Sequence, residues 1–243
     1  MRFKLPMPAQ IIMRKIARIS LAFALGLSAL SLAARADEET GLEDAMPTEQ
    51  LQQIKIVGFG DSLMAGYRLP ANSGFPEQLE QALDERGHDV SISNAGVSGD
   101  TTTGGLARLD WSVPEGTDLV ILELGANDAL RGIRPEITER NLDAMLSRLK
   151  GRGIAVILAG MLAPPNMGSD YASQFNAIYP RLAQKHAVPL YPFFLDGVAT
   201  NKALLLEDGM HPNEKGVATM VTNFLPTIEP LLQKLQKPGT SGN

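Results

Sequence analysis

Residues 54–69, IKIVGFGDSLMAGYRL, begin with a short apolar run that leads into glycines, an aspartate and a serine. The run is rich in branched aliphatic side chains, so it predicts a buried β-strand. Further runs of the same kind follow along the chain: VSISNA (90–95), LVILELG (119–125), IAVILAG (154–160) and the weaker PLYPF (189–193). Because most of them are apolar on both faces, they favour parallel strands that helices cover on both sides.

Helical patterns lie between these predicted strands. Apolar spacing, glycines and prolines predict helices at 75–87, 137–153 and 169–186, and from about Asn213 to Gln236. Pro226 is expected to bend or divide the last of them. The alternation of strands and helices predicts one doubly wound α/β domain over residues 54–236, a three-layer α/β/α sandwich with a five-stranded parallel sheet.

The N-terminal residues differ in composition from the rest of the chain. A basic leader precedes the apolar run ISLAFALGLSALSL, and Ala34-Arg35-Ala36 matches the small-x-small pattern that signal peptidases cut after. We expect residues 1–36 to be a cleaved signal peptide, with an uncleaved membrane anchor as the alternative, which predicts a periplasmic or secreted protein. Residues 37–53 predict an acidic linker, and residues 237–243 predict a disordered tail.

Charge and cysteine content exclude several classes of protein. The chain has 243 residues and no cysteine, so disulfides and lipid attachment through an N-terminal cysteine are excluded. Without the six basic residues of the leader, 16 basic and 27 acidic residues remain and the net charge is −11. This acidic balance argues against nucleic acid as a partner. No later segment approaches membrane-spanning length, so no stable membrane anchor is expected after cleavage, and the oligomeric state stays open.

Polar residues and glycines follow three of the predicted strands. The first strand leads into Gly60-Asp61-Ser62, the second into Asn94-Ala95-Gly96 and the third into Gly125-Ala126-Asn127-Asp128. Ligands of an open α/β sheet bind outside the carboxyl ends of its strands. We therefore expect these three loops, which are distant in sequence, to converge on one edge of the sheet.

Several familiar motifs are absent from these loops. Leu63 stands where a dinucleotide fingerprint needs its third glycine, and Met64 stands where the nucleophile elbow of α/β-hydrolases has a glycine. The histidines His88, His186 and His211 are far apart and have no cysteine or His-x-x-x-His pair beside them, so no metal site is predicted.

Ser62 needs a base if it is to act as a nucleophile. A serine hydroxyl is a weak nucleophile until an imidazole takes its proton, and a carboxylate must orient that imidazole. Of the histidines, His211 has a carboxylate at turn spacing around a glycine, Asp208, in the segment DGMHP. His88 and His186 are interpreted as solvated surface residues. Ser62, Asp208 and His211 are therefore the candidate catalytic residues.

Acyl transfer also needs hydrogen-bond donors for the developing oxyanion. The backbone N–H groups of Ser62 and Gly96 and the side-chain amide of Asn127 are the candidates. The structural alternatives are a turn glycine that needs positive φ at Gly96 and a helix N-cap at Asn127.

Further residues near the predicted site have more than one interpretation. Asp61 is interpreted as a structural residue that binds neighbouring loop amides, with a general base as the alternative. Glu123 lies in an apolar strand, so we expect it to be buried and hydrogen-bonded near the site, or else to face a gap at the sheet edge. The loop MLAPPNMGSDY should overhang the same edge, and Leu162, Ala163 and Pro164 are predicted to bind substrate, unless the loop is an ordinary surface loop.

Four blocks of the sequence resemble those of the GDSL, or SGNH, hydrolase family: GDSL at 60–63, SNAGVSGDT around Gly96, GAND at 125–128 and DGMHP at 208–212. The blocks keep the family order and span residues 60–212. The segments GDSLMAGYRLP, LELGANDALRG and NAIYPRLA are similar to the bacterial periplasmic branch of thioesterases, lysophospholipases and arylesterases. One departure is Ala126, where this branch more often has glycine.

The resemblance implies a flavodoxin-like fold, Ser62 as nucleophile, Asp208 and His211 as its partners, and an oxyanion hole of Ser62, Gly96 and Asn127. It implies a secreted serine esterase that hydrolyses aryl or short to medium acyl esters, with thioesters and lysophospholipids as further substrates and no metal or organic cofactor. A small-molecule acyl ester is then the partner. A carbohydrate O-acetylesterase and a non-catalytic glycan- or lipid-binding module on the same fold are the alternatives.

Overall fold

The computed structural model describes residues 52–236. The predicted signal peptide, nearly all of the predicted linker and the predicted C-terminal tail lie outside these residues. Within residues 52–236, no helix combines the length and the apolar character needed to cross a bilayer.

Five parallel strands form a single sheet. They are β1 (Ile54–Gly60), β2 (Val90–Gly96), β3 (Leu119–Glu123), β4 (Ala155–Ala159) and β5 (Leu190–Tyr191), in the spatial order β2-β1-β3-β4-β5. Residues 119–122 of β3 are fully buried, as the apolar character of both faces requires. The predicted five-stranded parallel sheet is confirmed, with β5 reduced to two residues.

Eight α-helices cover the sheet in the described part of the chain: α1 (Ser62–Ala65), α2 (Phe75–Asp84), α3 (Thr102–Ser112), α4 (Ala126–Leu130), α5 (Pro135–Gly151), α6 (Ser169–Asn176), α7 (Ile178–His186) and α8 (Glu214–Leu235). Helix α2 packs against α8, while α5 packs against both α3 and α7. Right-handed crossovers in this strand order put α2 on one face of the sheet and α3, α5 and α7 on the other. The three-layer sandwich is therefore as predicted.

The short helices α1 and α4 are not among the predicted ones, and the longer helices differ from the sequence-based prediction at three places. Helix α3 was not predicted, because Gly104 and Gly105 inside it are poor helix formers. The helix predicted at 169–186 is two helices that meet at Ala177. Helix α8 is not divided, since it continues through Pro226 and Pro230, with Phe224, Leu225, Ile228 and Leu232 buried along it.

Candidate active site

The chain turns directly from the carboxyl end of β1 into α1. Asp61 is the N-cap of this helix, and its Oδ1 accepts the N–H of Leu63 at 3.0 Å. The helix ends after one turn at Gly66, whose φ of 71° lies in the left-handed region that favours glycine. Ser62 is the first helical residue, so its N–H has no acceptor within the helix.

Two glycines allow this turn to lie against the neighbouring strands. A Cβ atom on Gly60 would collide with the side chain of Glu123, and one on Gly96 would collide with the backbone of Ala65. The glycines at the ends of β1 and β2 therefore let the Ser62 turn sit directly at the sheet edge.

The hydroxyl of Ser62 lies beside a histidine that is 149 residues away in sequence. His211 Nε2 is 2.9 Å from Ser62 Oγ, and His211 Nδ1 is 2.8 Å from Asp208 Oδ2. Because an ionised carboxylate can only accept, Nδ1 carries the proton and Nε2 is free to accept from the serine. The structure thus brings together the three residues predicted from the sequence in the order that proton transfer requires.

Backbone donors hold the Asp208 carboxylate in place. Its Oδ1 accepts the N–H groups of His211 at 3.0 Å and Met210 at 2.9 Å, in a turn where Gly209 has a φ of 69°. The His211 N–H is the main cause that lowers the pKa of Asp208 to about 2, below its ordinary value of 3.8. The carboxylate is therefore ionised at neutral pH and is available to the imidazole.

Asn127 reaches the site from the carboxyl end of β3. It is the second residue of α4, and the strand turns into this helix at Gly125, whose φ is 124°. A side chain on Gly125 would collide with the hydroxyl of Tyr179, which donates to the carbonyl of Leu124 at 2.9 Å. Asn127 Nδ2 donates to Asp61 Oδ2 at 2.9 Å, so the amide is linked to the Ser62 turn.

The loop after β2 places a different glycine at the site from the one expected. The N–H of Gly96 donates to Asn94 Oδ1 at 3.0 Å, and Gly96 does not line the cavity that contains Ser62. Gly99 does line that cavity, has a φ of 80°, and its N–H meets no acceptor among residues 52–236. Gly99 lies three residues before the start of α3 at Thr102.

An apolar cavity of about 730 Å³ opens at Ser62 and His211. Its walls come largely from the loops after β4 and β5: Met161, Leu162, Ala163, Pro164, Phe193 and Leu195. No Asp, Glu, Lys or Arg side chain of the described residues lines it. The residues predicted to bind substrate, Leu162, Ala163 and Pro164, therefore lie in the wall of the space that Ser62 faces.

Two carboxyl groups are buried directly beneath the Ser62 turn. Asp61 and Glu123 are both fully buried, and Glu123 Oε2 accepts the N–H of Asp61 at 3.1 Å. Loss of solvent raises the pKa of Asp61 to about 6 and that of Glu123 well above its ordinary value. Glu123 is thus buried and hydrogen-bonded near the site, as one of the two interpretations expected.

The remaining histidines lie elsewhere. His186 is buried and its Nε2 is 2.6 Å from Asp143 Oδ1, so its interpretation as a solvated surface residue is wrong. His88 is partly buried, 3.9 Å from Glu229 Oε1. Over residues 52–236, no group of three or more His, Cys, Asp or Glu side chains is arranged to hold a metal ion.

The chain is similar to one known protein family and to several named esterases and thioesterases. A model of the GDSL-like Lipase/Acylhydrolase family matches residues 59–218. An arylesterase from Vibrio mimicus is 45% identical over 159 residues, which cover 65% of this chain and 80% of the relative. Thioesterase 1/protease 1/lysophospholipase L1 of Escherichia coli K12 is 37% identical over 174 residues, covering 71% and 82%. The crystal structure of AlinE4, an SGNH-hydrolase family esterase, superimposes with a TM-score of 0.63 at 40% identity, covering 77% and 98%.

Proposed function

Because the chain belongs to the GDSL-like lipase/acylhydrolase family, we propose that it is a serine hydrolase of ester bonds with Ser62 as nucleophile. The observation that carries this proposal is the continuous series of hydrogen bonds from Asp208 through His211 to Ser62, which ends at an apolar cavity. Relatives named arylesterase and thioesterase 1/protease 1/lysophospholipase L1 support the same class of reaction.

In the proposed reaction, Ser62 Oγ attacks the carbonyl carbon of the ester while its proton passes to His211 Nε2. Asp208 stabilises the resulting imidazolium and keeps Nδ1 protonated. His211 then gives the proton to the departing alcohol or thiol, which leaves an acyl group on Ser62. A water molecule then gives a proton to His211 and attacks the carbonyl carbon of the acyl-enzyme. His211 returns this proton to Ser62 Oγ, and the carboxylic acid is released.

We propose that the oxyanion of the tetrahedral intermediate is bound by the N–H groups of Ser62 and Gly99 and by the amide of Asn127. Gly99 takes the role expected of Gly96, because the N–H of Gly96 is already bound to Asn94. Each such donor typically contributes about 10²–10³-fold to turnover, since it acts on charge that develops in the transition state.

The cavity favours an uncharged, apolar acyl or aryl group. A sugar ring would leave hydroxyl groups against the walls formed by Leu162, Pro164, Phe193 and Leu195, where they would find few partners. The lining therefore supports aryl or short to medium acyl esters over the carbohydrate O-acetylesterase alternative. A binding module would have no need of the Asp208–His211–Ser62 hydrogen bonds.

Hydrolysis of p-nitrophenyl esters from acetate to laurate by the purified protein tests this proposal. We expect turnover with a maximum at short to medium acyl length, labelling by a fluorophosphonate, and loss of both in Ser62→Ala. Ser98, another serine in the cavity wall, provides the matched control, because Ser98→Ala should keep the label. Absence of turnover at every acyl length together with absence of labelling would refute the esterase.

We also propose export to the periplasm or the medium with cleavage after Ala36, on the basis of the basic leader, its apolar run and the Ala34-Arg35-Ala36 pattern. N-terminal sequencing of the exported protein should then begin at Asp37. An intact leader on the exported protein would support the membrane-anchor alternative.

A further inference from the structure

The side chain of Asp61 joins two of the elements that carry proposed oxyanion donors, α1 with Ser62 and α4 with Asn127. Its Oδ1 accepts the N–H of Leu63 in α1 at 3.0 Å, and its Oδ2 accepts from Asn127 Nδ2 in α4 at 2.9 Å. Asp61 is fully buried, so water does not compete for these bonds. One carboxylate therefore fixes the Ser62 turn and the Asn127 amide relative to each other.

We propose that Asp61 is a positioning residue that sets the orientation of the Asn127 amide for oxyanion binding. This inference rests on the proposed function, because it assumes that Asn127 is an oxyanion donor. A carboxylate can only accept hydrogen bonds, so the nitrogen of the amide, and never its oxygen, must face Asp61. An amide nitrogen has two N–H groups, and the one that Asp61 does not bind remains available at the cavity.

The reverse orientation of this amide would oppose catalysis. A 180° rotation about the last side-chain bond of Asn127 would put Oδ1 where Nδ2 lies, and its partial negative charge would face the developing oxyanion. An unconstrained asparagine can adopt both orientations. Asp61 therefore selects one of two amide orientations of Asn127. The two have nearly the same shape, so apolar packing alone could not distinguish them.

The group below Asp61 supports this role. Glu123 Oε2 accepts the backbone N–H of Asp61 at 3.1 Å and so holds the residue from the sheet side. Burial, and then the charge of Asp61, raise the pKa of Glu123.

Capping of α1 is the alternative explanation for Asp61, and one substitution separates the two roles. In Asp61→Asn, the side-chain oxygen can still accept the N–H of Leu63, and asparagine caps helices about as well as aspartate. The new NH₂ group, however, would face Asn127 and favour the reversed amide. The cap is thereby kept, and the orientation of Asn127 is lost.

We expect Asp61→Asn to lower kcat about 10²-fold, with KM changed less than about threefold, because an oxyanion donor acts mainly in the transition state. Asn127→Ala should lower kcat by about 10²–10³-fold. The double variant Asp61→Asn/Asn127→Ala should be no slower than Asn127→Ala, since Asp61 acts through that amide. A purely structural role would instead make the two losses multiply.

Asp118→Asn is the matched control. Asp118 Oδ2 accepts the backbone N–H of Lys55 at 2.8 Å, next to the start of β1 and far from Ser62 in the fold. The same exchange of a carboxylate for an amide should leave kcat unchanged there. If Asp61→Asn does not fold, Asp61→Ser replaces it, because its single oxygen can cap α1 without fixing the Asn127 amide, and kcat should again fall.

Three results would overturn the inference: wild-type kcat in Asp61→Asn, wild-type kcat in Asn127→Ala, or multiplied losses in the double variant. The proposed function has its own test. Full turnover in Ser62→Ala would refute the serine hydrolase itself. Loss of turnover in Ser62→Ala and Asn127→Ala, with full turnover in Asp61→Asn, would refute the role of Asp61 alone.

Discussion

Two histidine–aspartate pairs lie in different parts of this fold and differ in what surrounds them. Asp208 Oδ2 lies 2.8 Å from His211 Nδ1, and Asp143 Oδ1 lies 2.6 Å from His186 Nε2. His186 is buried between α5 and α7, where Lys185 also binds Asp143. His211 sits at the mouth of the apolar cavity, with Ser62 at its other nitrogen.

The comparison shows that two Asp–His contacts of similar length can leave the imidazole with different partners. In His211 the carboxylate takes Nδ1 and leaves Nε2 for a hydroxyl. In His186 the carboxylate takes Nε2, and among residues 52–236 no serine or threonine hydroxyl bonds to its other nitrogen. The first pair is therefore the one that we propose relays a proton, whereas the second links two helices.

The largest expected difference between the two pairs is in turnover after loss of the imidazole. His211→Ala should lower kcat by roughly 10⁴–10⁶-fold, because Ser62 loses its base. His186→Ala should leave kcat within about twofold and lower the free energy of unfolding, since it removes a buried side chain. Steady-state kinetics and urea unfolding of both variants measure this. A folded His186→Ala variant with the turnover loss of His211→Ala would contradict the distinction.

A smaller difference is expected when each carboxylate is changed to an amide. Asp208→Asn should lower kcat by about 10³–10⁴-fold, because an amide can donate to Nδ1 and so stabilise the wrong tautomer of His211. Asp143→Asn should not change kcat, because this residue contacts no group of the site. The pH–rate profiles of both variants provide the measurement. Unchanged turnover in Asp208→Asn would show that another group orients His211.

The smallest expected effect concerns acid stability. The pKa of Asp208 is about 2 in the fold and 3.8 ordinarily, so its contribution to stability is present above pH 3.8 and disappears as pH falls through 2. The wild-type protein should therefore lose unfolding free energy as the pH falls from 4 to 2. The Asp208→Asn variant, which lacks this carboxyl group, should lose less over the same range. Urea unfolding at pH 4, 3 and 2 measures the slope. Asp143→Asn should act in the same direction, because Lys185 and then His186 lower the pKa of Asp143.

The sheet and the Ser62–His211–Asp208 group could be predicted because their signals are local. Continuous apolar runs identify buried parallel strands, and the order of those strands places their carboxyl ends at one edge. DGMHP is a turn that contains its own carboxylate and imidazole, so the Asp208–His211 contact needs no distant information.

The parts that the sequence did not predict depend on side-chain contacts, most of them distant. The N–H of Gly96 is not free because the side chain of Asn94, two residues earlier, accepts it. The burial of His186 depends on Asp143, which lies 43 residues earlier in another helix. Helix α3 contains two glycines, and the buried Arg108 within it binds the carbonyl of Gly60 at 2.8 Å. Tertiary contacts override weak helix propensity there.

The loop after β4 supplies wall residues to the cavity, including Leu162 and Ala163, but none of the three residues that we propose to relay the proton. It is held at two points, since the N–H of Gly160 donates to the carbonyl of Tyr191 at 2.7 Å and the N–H of Ala163 donates to Asn176 Oδ1 at 2.8 Å. Chimeras that exchange this segment while keeping its two anchors would alter which acyl chains are accepted and leave the reaction itself in place. The shape of the cavity can thus change in this segment without any change to Ser62, His211 or Asp208.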